Sequence, residues 1–430
     1  MSTTISEPIH IGMGISTITP PLGVELAGYG YYLQRKCTGV HDNVYSRVLV
    51  IEGEDKTKIA VVSNDLSSLS WELVEKIKSV VSSKAGIDED NILITCTHTH
   101  SGPAAAYARG VGEVDPRYAG ELPSMVAQAA TEACKNLKSA RLGLGKGEVN
   151  IVSRNRCEEN GPIDPSVGVM KINDLSEAPL ALLFNFACHP TTIDRRTPAG
   201  TLVSRDWPGY AVDVIKSELS TNSMFLQGAC GDIGPVVGWH NFQFEGASLT
   251  GYIVGSKVIE IVPKINTSNI KRISLKKKIV HLPLRILSEE EIDKTIAEKK
   301  QKDNWNKGNL SYFYKNWEKS MKEKLRKKSY LSTLPAEVAL LTIETDEDRG
   351  ALVFLPGEIF VRLGLEIKRK SPFNNVFIIE HYGNRAGYIP DEFDFKRGGY
   401  AATEVPRING IFPYKQEVGE VLVNQTLKLF

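Results

Sequence analysis

Two histidines stand two residues apart in the segment THTHSGP, which follows an apolar run. These are His98 and His100, and imidazole nitrogen is one of the ligands that zinc takes in proteins. If the extended backbone of the apolar run continues through them, both side chains point to the same side. Alone, the pair also fits two hydrogen-bonded histidines that bind no metal. The Ser-Gly-Pro that follows indicates a turn.

Other apolar runs also end in residues that bind metals. His189 follows LALLFNFAC, and Glu358 follows ALVFLPG. Each residue also has an interpretation that involves no metal. A single histidine after an apolar run is usually a core residue, and a carboxylate just before a helix is stabilised by the helix dipole. Together with His98 they match the three protein ligands and open position of catalytic zinc. Spacing alone does not single out Tyr388, in the loop after NVFIIEHY.

Short β-branched runs alternate with segments of helical period, which is typical of an α/β fold. The predicted strands are 58–65, 91–97, 180–188, 224–230, 351–357 and 375–382, and the predicted helices are 71–86, 121–137, 209–219 and 358–370. Open α/β sheets bind ligands outside the carboxyl ends of their strands. We therefore predict a mixed, largely parallel sheet flanked by helices, with the strand-terminal residues in one cleft.

The segment from Leu287 to about Ser329 is rich in Lys and Glu and differs from the rest of the chain. We interpret residues 287–329 as an inserted helical hairpin, which either caps the site or forms a solvated surface excursion. Lysine alternates with glutamate in this segment, which favours a salt-bridged surface over a nucleic-acid site.

Composition excludes several function classes. Lys and Arg number 52 against 51 Asp and Glu, so the net charge of +1 provides no global field for nucleic acid or an anionic membrane. The start resembles no signal peptide, and no apolar run is long enough to span a membrane. The six cysteines contain no C-x-x-C pair. We expect a cytoplasmic protein whose specificity lies in a local site.

A series of segments follows one another as in the neutral ceramidase superfamily, from about residue 9 to about residue 404. They are GMGISTITPPLGVELAGYG, GVHDNVYSRVLVIEG, CTHTHSGP, NRCEENGP, NFACHPTT, GACGDIGP, LPGE and NRAGYIP. The chain thus resembles a family of zinc amidases that split the N-acyl bond of a sphingoid base. The resemblance implies one zinc ion per chain and a small-molecule or lipid amide as substrate.

The resemblance also implies roles for individual residues. The implied zinc ligands are His98, His189, Glu358 and Tyr388, and the implied catalytic residues are His100, Arg156 and Tyr400. His100 would transfer a proton to the leaving nitrogen, while Arg156 and Tyr400 would stabilise the oxyanion. Asp65 and Asp232 either orient the imidazoles or act as turn and capping residues.

Three departures from the family bear on the substrate. Gly234 of GDIGP stands where ceramidases have a serine, residues 287–329 match nothing in the family, and residues 1–430 are expected to form one catalytic domain without the C-terminal immunoglobulin-like domain. The alternatives are a zinc esterase or lactonase, a serine hydrolase using Ser101, which lacks a G-x-S-x-G elbow, and a non-catalytic protein that zinc stabilises.

Overall fold

The computed structural model of the protein describes residues 1–31, 34–237, 242–301, 305, 309–383 and 386–430. The strands are β1 (Ser2–Ser6), β2 (His10–Thr17), β3 (Gly39–Val40), β4 (Tyr45–Glu52), β5 (Lys58–Asn64), β6 (Ile92–Cys96), β7 (Lys138–Glu148), β8 (Ser153–Asn155), β9 (Ser166–Asp174), β10 (Pro179–Phe186), β11 (Leu202–Val203), β12 (Ser223–Gln227), β13 (Ile233–Pro235), β14 (Ser268–Pro283), β15 (Thr333–Thr345), β16 (Arg349–Phe354), β17 (Glu358–Ile359), β18 (Asn375–Ile379) and β19 (Tyr388–Ile389). The helices are α1 (Trp71–Ala85), α2 (Pro116–Lys135), α3 (Asp206–Leu219), α4 (Gln243–Ile261), α5 (Glu289–Lys300), α6 (Leu310–Lys327), α7 (Val361–Lys370), α8 (Glu392–Lys396), α9 (Tyr400–Thr403), α10 (Val405–Asn409) and α11 (Val418–Leu427).

One large mixed sheet forms the centre of the fold. Its main path runs β18-β16-β15-β14-β7-β2-β4-β5-β6, with β1 beside β14 and with β9, β10 and β12 branching from β7. The mixed α/β architecture is as predicted, but the predominance of parallel pairing is wrong. Strands such as β4 and β5, or β15 and β16, are joined by short connections that require antiparallel pairing. The sequence analysis predicted β5 and β16 but not β4 or β15, because neither of these two leads into a predicted site residue.

Parallel pairing within the described sheet is confined to three strand pairs. They are β5–β6, β10–β12 and β16–β18. Their carboxyl ends lead into His98, His189 and Glu358, so the rule for open sheets holds for the strands that position the site. The buried amide of Asn185 ties two of these pairs together, donating from Nδ2 to Leu226 O and to Ile378 O, each at 2.8 Å.

Replacing Asn185 with leucine is expected to lower the free energy of unfolding by about 1–3 kcal/mol. The substitution keeps the volume but leaves two buried carbonyl groups without their donor, and an unsatisfied buried group costs that much. Denaturant unfolding measures the change. Asn222→Leu on the exposed surface is the control, and equal unfolding midpoints for the two variants would contradict the role of Asn185.

Helices pack on one face of the strands, whereas the other face contributes to a core cluster that contains no helical residue among those described. Helix α1 begins where Ser70 Oγ accepts from Leu73 N at 3.2 Å and ends at Gly86, whose φ of 62° suits glycine. Helix α4 was not among the predicted helices, and its interior contains glycines, which are unfavourable in a helix. In the fold, Gly251 lets α4 approach α3 closely, since a Cβ there would lie 2.5 Å from Trp207 O.

The predicted helical insertion is present as α5 and α6. A capping box between Ser288 and Glu291 starts α5, and Lys322 of α6 forms an ion pair with Asp293 of α5, so the helices run antiparallel. The inner face of α6 is buried in the core, which makes the insertion a packed element rather than a solvated excursion. Positions 302–304 and 306–308 of the prediction lie outside the described residues. Among the described helices, none has both the length and the apolar character required to cross a membrane.

Candidate functional site

The two histidines of THTHSGP come together, but not by strand alternation. Strand β6 ends at Cys96, and His98 has a φ of 66°, so the extended geometry assumed for the sequence stops before the motif. The Nε2 atoms of His98 and His100 are nevertheless 3.0 Å apart. Left-handed backbone at a non-glycine residue costs energy and is retained where surrounding structure holds it. Here the hydrogen bond from His98 N to Leu66 O, at 2.9 Å, contributes.

His189 brings a third imidazole to the same point. Its Nε2 lies 3.1 Å from His98 Nε2, and both rings are almost completely buried. Backbone carbonyls fix the opposite nitrogens: His98 Nδ1 contacts Ser67 O at 2.7 Å, and His189 Nδ1 contacts Cys230 O at 2.6 Å. Donation from Nδ1 to a carbonyl leaves Nε2 as a free acceptor, which is the state of a metal-binding imidazole.

Of the two alternatives for Asp65 and Asp232, the orienting role does not hold for His98 or His189, because backbone carbonyls occupy the positions that those carboxylates would need. Asp65 forms a buried ion pair with Arg47 at 2.9 Å and accepts from Tyr45 N. Asp232 accepts from Val361 N at 2.7 Å and from the side chain of Asn155 at 2.8 Å. Both carboxylates tie loops together behind the site, which is the turn and capping alternative.

A carboxylate and a phenol complete the cluster. The predicted helix 358–370 begins only at Val361, because Glu358 belongs to the short strand β17, which pairs in parallel with β19 and sets Glu358 directly beside Tyr388. Glu358 Oε2 lies 3.4 Å from His98 Nε2 and 3.3 Å from His189 Nε2. Tyr388 Oη lies 3.4 Å from His189 Nε2. Gly357, with φ of 75°, makes the turn, since a Cβ there would lie 2.2 Å from Gly387 O.

The cluster has the chemistry and spacing of a metal site. The ring nitrogens of His98, His100 and His189 all lie within 4.8 Å of one another and could hold a metal ion. Ligand atoms about 2.0–2.2 Å from a tetrahedral zinc lie about 3.3–3.6 Å apart, close to the distances that Glu358 Oε2 makes with two imidazoles. That oxygen is buried and accepts no hydrogen bond from the described residues, as expected of an atom that binds a cation.

The protonation states favour cation binding. Burial lowers the pKa of His98, and the neighbouring His381 lowers it further, while burial followed by the charge of Arg156 lowers the pKa of His189 to about 3. Both imidazoles are thus neutral and able to bind a metal. Burial raises the pKa of Glu358, but His98 and His189 outweigh burial and hold it well below its ordinary value, so it is a carboxylate.

Arg156 and Tyr400 flank the cluster. Arg156 Nη2 donates to Tyr388 Oη at 2.6 Å and to Gly231 O at 2.8 Å, with its side chain accessible from the adjoining cavity. Tyr400 is half exposed at the cavity rim, and its ring centroid lies 6.1 Å from that of Tyr388. Gly234 lies behind Arg156, where an added Cβ would make an ordinary contact of 3.6 Å with Arg156 Cδ. A serine would therefore fit at this position.

Ser101 does not form a catalytic pair with a base in this arrangement. Its Oγ is buried and makes no hydrogen bond to any residue within the described ranges. A serine nucleophile needs a general base within hydrogen-bond reach. The serine hydrolase alternative thus lacks its central contact here.

Glu380 is a site residue that the sequence analysis missed. It is completely buried at the end of β18, and its Oε2 accepts from Cys230 N at 3.1 Å and from Ile359 N at 2.8 Å. Cys230 provides the carbonyl that holds His189, and Ile359 adjoins Glu358. Glu380 therefore links the two loops that present these side chains. The available signal was a carboxylate inside the otherwise apolar run NVFIIEHY.

Glu380→Ala is expected to weaken metal affinity about 10- to 100-fold, the range for partners that orient metal ligands. Glu380→Gln should restore most of the affinity, because the amide oxygen can still accept from both backbone N–H groups. Competition with a metal-binding dye measures both variants. Equal metal affinity in the alanine variant and the native chain would contradict this positioning role. If Glu380 only stabilises the fold, the substitutions should lower thermal stability, but the alanine and glutamine variants should have the same metal affinity.

Comparisons with known proteins point to one family. The family described as neutral/alkaline non-lysosomal ceramidase, N-terminal, matches residues 9–246. The neutral ceramidase of Pseudomonas aeruginosa is 28% identical over 240 residues, which is 51% of this chain and 35% of that protein. The neutral ceramidase of Drosophila melanogaster is 24% identical over 261 residues, 54% of this chain and 36% of that protein. These alignments thus cover about a third of the relatives' length.

The fold comparison extends further along the chain. The crystal structure of neutral ceramidase from Pseudomonas aeruginosa matches with a TM-score of 0.71 at 20% identity, covering 98% of this chain and 74% of that one. A ceramidase structure described as complexed with C2 matches with a TM-score of 0.73 at 17% identity, with the same coverage. The fold is therefore shared beyond residue 246, through the segments that carry Glu358 and Tyr388.

Proposed function

This chain belongs to the neutral/alkaline non-lysosomal ceramidase family, and we propose that it is a zinc-dependent hydrolase that cleaves an amide (N-acyl) bond. The observation that carries the proposal is the convergence of His98, His189 and Glu358 on one buried point. Two neutral imidazoles and one carboxylate form a ligand set of catalytic zinc. The proposed location, as expected from the sequence, is the cytoplasm.

We assign His98, His189, Glu358 and Tyr388 as the residues that would hold zinc. The donor set fits this ion, since it combines nitrogen and oxygen ligands, and Glu358 Oε2 lacks a hydrogen-bond donor among the described residues. When bound, zinc supplies Lewis acidity that makes water nucleophilic near neutral pH. The ligand set His98, His100 and His189 shares two members with this assignment. We prefer the set with Glu358 because its carboxylate offsets the ionic charge.

The remaining residues act on protons and on developing charge. His100 lines the cavity with its Nε2 3.0 Å from His98 Nε2, and we assign it proton transfer to the leaving nitrogen. Burial, followed by the charges of His98 and His189, lowers the pKa of His100 well below its ordinary value, so its ring is neutral. Arg156 and Tyr400 both line the cavity beside the cluster. There they can donate to the carbonyl oxygen as negative charge develops on it.

Matched amide and ester substrates test this assignment. We expect purified protein loaded with zinc to hydrolyse N-acyl amides, and removal of the metal by a chelator to abolish the reaction. An enzyme that hydrolyses matched esters but no amide would be an esterase or lactonase instead. A short-chain ceramide belongs in the same panel, because Gly234 replaces the serine of the ceramidase turn. Gly234→Ser shows whether that residue governs ceramide hydrolysis.

A further inference from the structure

A cavity of about 390 Å³ adjoins the cluster of histidines. This volume lies near the lower end of the range for small-molecule sites. A substrate with two long hydrocarbon chains would have to leave most of its length outside. The cavity therefore suits a compact substrate.

The helical insertion supports the outer wall of this cavity. Tyr31 lines the cavity and packs edge-to-face on Phe313 of α6, with ring centroids 4.5 Å apart. Glu404, four residues beyond Tyr400, accepts from Tyr314 Oη of α6 at 2.6 Å and from Lys299 of α5. Helix α6 thus contacts Tyr31 directly, and helices α5 and α6 hold the chain segment that follows Tyr400.

The charge of the cavity is the second observation. Arg156 and Arg195 line it, while no Asp, Glu or Lys does so among the described residues. The guanidinium of Arg195 lies over the ring of Tyr29, with Cζ 5.4 Å from the ring centroid. Tyr29 is itself fixed by donation from its Oη to Ile193 O at 3.0 Å. Two guanidinium groups around a confined volume favour an anion, because charge-assisted hydrogen bonds are the stronger ones.

We propose that the substrate is a compact N-acyl amide that carries a carboxylate close to the scissile bond, of the N-acyl amino acid class, with Arg195 binding that carboxylate. The proposal rests on the amide hydrolysis proposed above and narrows its substrate. In the reaction, the C–N bond of the amide breaks and a C–O bond to the oxygen of water forms. One proton of the water passes to the leaving nitrogen, and the products are a carboxylic acid and an amino acid.

Matched substrates test the charge preference. N-butanoylglycine and N-butanoylglycinamide have the same length and differ in one negative charge. We expect kcat/KM to be at least about tenfold higher for the acid, since a hydrogen bond to a charged group is worth about 1.5–3 kcal/mol. Arg195→Gln should bring the ratio of the two values towards one. Arg196→Gln is the matched control, because Arg196 is 61% exposed and pairs with Asp194, and it should leave the ratio unchanged.

A binding measurement separates this proposal from the proposed function. N-(butylsulfonyl)glycine and its primary amide replace the scissile carbonyl with a sulfonyl group, and calorimetry compares their binding to the protein as purified. Tighter binding of the acid, lost in Arg195→Gln, supports the carboxylate site even if no amide is hydrolysed. Hydrolysis of the neutral amide at an equal rate, or of a short-chain ceramide alone, overturns the proposal and leaves amide hydrolysis in place. If the acid is neither bound nor hydrolysed and no other amide of the panel is hydrolysed, both proposals are overturned.

Discussion

Replacing His189 with alanine is expected to remove the bound metal and, with it, all measurable hydrolysis. His189 is completely buried, and its Nε2 lies within 3.4 Å of both His98 Nε2 and Glu358 Oε2, at the centre of the cluster. The substitution deletes one of the four residues assigned to hold zinc and leaves the Cys230 and Ile233 carbonyls without their partner. Elemental analysis should find near one zinc per native chain and little in the variant.

A second substitution separates loss of the ligand from loss of packing. Glu358→Gln preserves the shape of the side chain but removes its charge, so it should also lower metal content while the chain stays folded. His41→Ala is the matched control, because His41 is exposed and contacts Tyr210 Oη at 2.9 Å, away from the cluster. Native metal content in both His189→Ala and Glu358→Gln would remove the basis of the metal assignment.

Much of the site was predictable because its residues follow strands whose carboxyl ends meet. The short apolar runs before His98, His189 and Glu358 are the parallel strands, and their order along the chain is visible in the sequence. What could not be predicted is the local backbone. The φ of 66° at His98 and the pairing of Glu358 with Tyr388 depend on contacts between segments distant in sequence. Side-chain alternation along a strand correctly predicted that His98 and His100 lie close together, but the strand ends before these two residues.

The overall sheet was harder to predict than the site. Strands β14 and β15 are long and antiparallel, and neither was predicted from the sequence, because they carry no residue with evident chemistry. The groups that orient the imidazole rings were also hard to predict. Acidic side chains are conspicuous in a sequence, whereas the carbonyls of Ser67 and Cys230 that hold the rings have no sequence signal. Glu380 likewise acts through backbone groups, since it accepts from the N–H groups of Cys230 and Ile359, so its role could be recognised only from the fold.

Arg156→Ala is expected to lower kcat by about 10²–10³ while leaving the metal bound, the typical effect of removing one donor to a developing oxyanion. Arg156 contacts Tyr388 Oη at 2.6 Å and lies 3.4 Å from His189 Nε2, so its guanidinium lies beside the cluster where we propose that the amide carbonyl binds. Arg156→Lys should recover only part of the rate, because an ammonium group cannot reproduce the forked geometry of a guanidinium.

Kinetics and metal content, measured on the same samples, decide between the two roles open to Arg156. If it acts on the transition state, kcat falls, zinc content stays near one per chain, and KM changes little. If it only holds Tyr388 in place, zinc affinity falls together with kcat, and added zinc restores the rate. Arg154→Ala is the control, because Arg154 lies two residues earlier, on strand β8, and is exposed. Native kcat in Arg156→Ala would exclude both roles, and the stabilising donor would then have to be sought in Tyr400.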